Sequence, residues 1–69
     1  MTRLGEYFAQ KSINKAGVSR KTGISKARLS ELTLRETARL TVVELYNIAL
    51  AIDVDPCIML EFICVDLKK

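Results

Sequence analysis

Residues 14–32 read NKAGVSRKTGISKARLSEL, a short basic segment that breaks at Gly23 and restarts at Ser25. Asn14 is a good N-cap, and the residues after it form a helix to about Thr22. Gly23 ends that helix, because the position just past a helix commonly takes φ > 0 and glycine does so without a Cβ clash. Ile24 anchors the turn, and Ser25 caps a third helix over 26–33. Leu29 and Leu32 fall at i and i+3 on one face of it, while Lys26, Ala27, Ser30 and Glu31 point elsewhere. Gly17 inside the second helix costs ~1 kcal/mol relative to alanine, which a closely approaching neighbour would explain. The stretch therefore predicts two short helices joined by a tight turn, with Val18, Ile24, Leu29 and Leu32 tying them to a later helix.

Working outward, Leu4, Tyr7 and Phe8 recur at i, i+3, i+4, so residues 3–11 predict a first helix with Thr2 as its cap. Ser12 and Ile13 join it to the second. Residues 34–40 show no apolar period and carry Arg35, Glu36 and Arg39, which predicts a surface loop. Thr41-Val-Val-Glu44 fits a capping box. The fourth helix that follows sets Leu45, Ile48, Ala49 and Ile52 on one face and Val43, Tyr46 and Leu50 on a second, as expected of a central core helix. Asp55-Pro56 is another helix start, with proline where its missing N–H costs nothing. The fifth helix runs to about Cys64, and its apolar groups lie on several faces. Ile58, Met59, Phe62 and Ile63 exceed what one small core can cover, which predicts a homodimer contact through this helix and the tail. The run from Phe62 reads either as helix or as extended chain, and Lys68-Lys69 is expected to fray.

With 69 residues, 49% of them hydrophobic, three glycines and one proline, the expectation is all-α: a compact five-helix bundle forming a single domain over 1–69. Charge is uneven. Residues 1–39 hold nine Lys/Arg against three acids, a balance of +6, whereas 40–69 hold two against five, or −3. That polarity suggests an anion-binding front. Cys57 and Cys64 have no histidine to complete a zinc site, so no metal is expected; they read as buried thiols in a reducing cytosol. No signal peptide opens the sequence and no apolar run reaches the ~20 residues of a membrane span, so a cytoplasmic protein without membrane association is expected. Scattered carboxylates and the missing histidine leave no acid–base pair, so neither an enzyme nor a cofactor or small-molecule ligand is expected.

Reading duplex DNA requires a slim helix, polar side chains near its N-terminus and cations placed against phosphates on either side. Ser25 and the short Ala27 keep the start of the third helix slim. Lys26 and Glu31 offer a donor and an acceptor, Lys15 adds charge to a helix end that favours phosphate, and Arg28, Arg35 and Arg39 are candidates for the backbone grip. Residues 3–63 resemble the phage-repressor and Cro-like (XRE) family of five-helix, lambda-repressor-like helix-turn-helix proteins. The resemblance rests on Val18, on Gly23 and Ile24 in the turn, on Ser25, Leu29 and Leu32, on residues 38–52 as the fourth helix and on Asp53-Val-Asp-Pro leading into the fifth. Ser19 and Thr22 depart from the usual alanine and aliphatic residue, and Thr33-Leu34-Arg35 replaces the usual Glu-x-Gly exit. The resemblance implies base reading by Ser25, Lys26, Ala27 and Glu31, and phosphate contact by Lys15, Arg28, Arg35 and Arg39.

The expected function is sequence-specific binding of double-stranded DNA as a small transcriptional regulator, a repressor, with the third helix in the major groove of a homodimer's site. The alternative on the same fold is a protein-interaction module, an antitoxin-like adaptor.

Overall fold

The structure, a computed structural model, describes residues 2–65. Five helices follow one another: α1 (Arg3–Gln10), α2 (Lys15–Thr22), α3 (Lys26–Leu34), α4 (Val42–Ala51) and α5 (Pro56–Ile63). No strand occurs among the described residues. None of these helices is long and apolar enough to cross a membrane. Each begins at the cap its sequence announces. Thr2 accepts from the Gly5 N–H, Asn14 from Ala16 and Gly17, Ser25 from Arg28 and Asp55 from Cys57, and Thr41 with Glu44 closes the capping box. Such caps satisfy the amides that a helix start leaves without partners, each worth ~1 kcal/mol.

The core draws Leu4, Tyr7 and Phe8 from α1, Val18 from α2, Leu29 and Leu32 from α3, Leu45, Ile48 and Ala49 from α4, and Met59 from α5. Its arrangement corrects one expectation. The 14–32 stretch is expected to tie to α4: its α2 half does pack there, whereas the α3 backbone approaches α1 and then α2 and not α4 closely, so α3 meets α4 through side chains alone. α4 rests instead on α5 and α2. It is central on one face only, because Val43, Tyr46 and Leu50 stand out into solvent.

Two further expectations change for physical reasons, and one left open is decided. Met59 is 0% exposed, enclosed by its own core. Phe62 packs its ring edge against Tyr7 at 5.0 Å, with the Arg3 guanidinium 4.4 Å from its centroid. Ile63 packs against the same core. Of the four residues expected at a dimer contact, Ile58, 61% exposed, is the one that stands well out of the fold; Leu60 is also exposed, on another side of the helix. Cys57 is exposed and Cys64 half-buried, and both thiols are free, so the reading of two buried thiols fails for Cys57, which takes the outer side of the first turn of α5. The chain beyond Phe62 is helical to Ile63, with Cys64 as the C-cap. The fraying expected of Lys68 and Lys69 lies outside the described residues.

Gly17 also lacks the role expected of it. A Cβ there would meet only the Arg20 side chain at 3.9 Å and the Asn14 side chain at 4.0 Å, ordinary van der Waals distances within its own segment. Gly17→Ala is therefore expected to stabilise the fold by about 0.5–1 kcal/mol, the propensity difference in a helix interior. A urea titration reads this as a higher midpoint at unchanged slope.

Candidate nucleic-acid interface

The two helices of the 14–32 stretch meet at a turn made by three residues. Gly23 takes φ 80°, the left-handed conformation, and its N–H donates to the Ser19 carbonyl. Thr22 does what an aliphatic residue could not: its hydroxyl donates to the Val18 carbonyl at 2.7 Å and accepts from the Ile24 N–H at 3.1 Å. The turn is thus stitched on both sides, and the direction of α3 relative to α2 is set by backbone geometry and hydrogen bonds.

Ser25, Lys26 and Ala27, at the start of α3, are all exposed, and so is Glu31 one turn further along. Both helices of the motif open on a lysine, Lys15 and Lys26, and neither carries an acid in its first turn. By contrast α1 and α4 have Glu6 and Glu44 there, the usual complement to the positive end of a helix dipole. The first turns of α2 and α3 therefore combine a positive dipole end with an ammonium group and carry no acid of their own, which is the electrostatics of a phosphate-seeking surface. Arg35 and Arg39 are exposed on the segment that leaves α3.

That segment departs from the expected surface loop in how it begins. Leu34 still belongs to α3, and Arg35 ends it in an extended conformation, φ −99° and ψ 120°. No left-handed residue is needed because the last carbonyls of α3 find partners elsewhere. The Thr2 hydroxyl donates to the Leu32 carbonyl at 2.7 Å, and the Thr2 N–H donates to the Thr33 carbonyl at 3.0 Å. Thr33 itself is buried with its hydroxyl donating to Leu29 and Ser30 carbonyls. The Thr33-Leu34-Arg35 exit replaces a glycine cap by a staple from Thr2, the cap of α1.

Arg28 stands apart from the other cations. Its Nε donates to Glu44 Oε2 at 2.9 Å, and its Nη2 donates both to Glu44 Oε1 at 3.1 Å and to the Arg39 carbonyl at 2.7 Å. Nη1 lies 3.6 Å from Glu31 Oε1. Glu44 meanwhile accepts from the Thr41 N–H at 3.0 Å. Sequence reasoning had placed Glu44 only in its capping box, because nothing in a 16-residue separation marks a pair. The Arg28 hydrogen bonds hold the Glu44 carboxyl below its ordinary value, with partial burial opposing and the Thr41 N–H assisting.

A depressed carboxylate stabilises the fold fully above its unfolded value, 4.5, and that contribution is lost as pH falls through the lower folded value. Thermal unfolding followed from pH 6 to about pH 2 should show this loss in the native protein. Glu44→Gln should flatten that part of the profile while keeping a capping-competent side chain.

The tight turn, the capped and exposed second helix and the three helices packed around them define an all-α helix-turn-helix protein. The family model of the Cro/C1-type HTH DNA-binding domain matches residues 3–64, and the chain belongs to that family. Neither a curated protein nor a solved structure gives a significant match. Among the described residues no group of His, Cys, Asp and Glu side chains could hold a metal ion.

Proposed function

We propose that this chain, working as one domain, reads the sequence of double-stranded DNA with the first half of α3 in the major groove and regulates transcription as a repressor. DNA binding is the activity of its family. The observation that carries the finer reading is the pair of lysine-headed helix starts: Lys15 and Lys26 raise the positive potential of two adjacent helix N-termini where an acid would stabilise the fold better. Local chemistry that works against stability is most often retained for function. Ser25, Lys26, Ala27 and Glu31 face base edges in this reading, and Lys15, Arg35 and Arg39 face phosphates. Selection from fragmented genomic DNA with the purified chain should enrich one motif. An unenriched pool would overturn the reading.

Self-association is the second part of the proposal. Ile58 is an exposed apolar group on α5, and a homodimer meeting through that helix would be expected to place its two α3 helices on half-sites one turn apart, ~34 Å. The enriched motif should then be a pseudo-palindrome, and light scattering at micromolar concentration should give twice 7.7 kDa. A monomer mass with and without DNA would refute the homodimer.

The competing reading, a protein-interaction module, is favoured by a different surface. Val42, Val43, Tyr46 and Leu50 form an exposed apolar strip on α4, with Tyr46 53% and Leu50 54% exposed. An interaction module predicts that Tyr46→Glu abolishes partner capture and that Lys26→Ala leaves it intact.

A further inference from the structure

We propose that Arg28 and Glu44 are positioning residues for DNA recognition: their ion pair aims the start of α3 and the Arg39 segment together, and Arg28 makes no phosphate contact of its own. The inference rests on the DNA-reading role given to α3 above.

Three observations carry it. First, the groups of α3 that enter the core, Leu29, Leu32 and Thr33, lie in its middle and at its end, whereas Lys26, Ala27 and Ser25 are exposed. The end that reads bases is therefore the end the core holds least. Second, the α3 and α4 backbones do not approach closely, and beside the apolar side chains they share in the core the Arg28 fork on Glu44, at 2.9 and 3.1 Å, is a polar bridge between them near the start of α3. Third, the same guanidinium donates to the Arg39 carbonyl at 2.7 Å, and Glu44 accepts from the Thr41 N–H at 3.0 Å. One carboxylate thus fixes the start of α4, the side of α3 and, through Arg28, the backbone of the segment between them. A planar fork held in two directions orients what it joins, as a single flexible ammonium does not.

A guanidinium placed this way has Nε and Nη2 committed and Nη1 beside Glu31. With Glu44 on one side and Glu31 on the other, the positive charge of this guanidinium is already balanced, which leaves it little net attraction for a phosphate. The charge stays in the basic half of the chain, but its work is geometric.

The test compares four variants of the full chain, Arg28→Gln, Arg28→Lys, Glu44→Gln and the Arg28→Gln/Glu44→Gln double. Their affinities for the enriched duplex and for a scrambled duplex are measured by fluorescence anisotropy at several salt concentrations, and amide exchange is measured in the free proteins. A positioning role predicts that every variant lowers the ratio between the two duplexes by about 10-fold, that the double variant is no worse than the singles, and that salt slopes for the enriched duplex are unchanged. Exchange at the Leu29 amide, bonded to Ser25, and at the Ala38 amide, bonded to Arg35, should accelerate in each variant. If instead Arg28→Gln weakens both duplexes alike and lowers the salt slope by ~0.9, while Arg28→Lys is nearly silent, Arg28 is a phosphate contact and the proposal is overturned. Unchanged ratios and unchanged exchange overturn it as well. Should the native chain prefer neither duplex, the base-reading role falls, and unaltered exchange at Leu29 and Ala38 would then also remove the positioning role.

Discussion

Leu29→Ala is expected to cost about 3–4 kcal/mol, the range for deleting a leucine from a packed core. Leu29 is 0% exposed and belongs to the core that all five helices build. A chain of this size has only ~5 kcal/mol of stability to lose. The remaining ~1–2 kcal/mol should leave a measurable unfolded fraction even at 25 °C, with Tm falling by about 20 °C. Circular dichroism melts check the stability, and anisotropy on the enriched duplex should show affinity lost in proportion to the unfolded fraction. Leu34→Ala, on the same helix but with an exposed side chain, serves as the matched control and should change Tm by no more than ~2 °C. If Leu34→Ala proved as damaging as Leu29→Ala, the packing described for α3 would be wrong.

The second large effect separates two lysines. Lys26→Ala should weaken binding to the enriched duplex by ~1–3 kcal/mol, the worth of a good base-edge contact, and leave a scrambled duplex nearly unaffected. Lys15→Ala should weaken both alike and reduce the slope of log K against log salt by ~0.9, as expected for one phosphate lost. Neither change should reduce stability. Both lysines stand at the positive end of a helix dipole, so alanine there is expected to raise stability by ~0.3 kcal/mol or more. A variant more stable yet weaker on DNA is the signature of a residue kept for binding, and urea titrations beside the anisotropy series would display it.

How much of this was readable in advance follows from the range of the interactions. Thr2, Asn14, Ser25, Thr41 and Asp55 all cap the helices their positions announce, because a cap bonds an amide two or three residues away and needs no knowledge of the fold. Gly23 was legible for the same reason. What failed depended on distant partners. The exit of α3 looked anomalous because the group that satisfies its carbonyls, Thr2, lies 30 residues earlier. The pairing of Arg28, expected at phosphate, with Glu44 went unseen because Glu44 already had a local role in the capping box. Periodicity gave α4 and α5 too many apolar faces without saying which were covered. Phe62 found Tyr7, Met59 found the core, and Val43, Tyr46 and Leu50 were left outside. Hydrophobic pattern reports that a face must be covered somewhere; only the arrangement of helices decides by what.

The bond from Thr2 to the Leu32 carbonyl has a consequence for the order of folding. The residue that caps α1 at its start also closes α3 at its end, so one threonine serves two helices 30 residues apart. Closing a loop of that length must precede the gain from the contact. During synthesis α1 is made first, yet its principal packing partner, α3, and the carbonyls that Thr2 serves come later. The helix-turn-helix can form locally beforehand, since its own turn and caps are short-range. Docking of α1 then sets the last turn of α3, which makes Thr2 a fastening shared by the first helix and the helix proposed to read DNA.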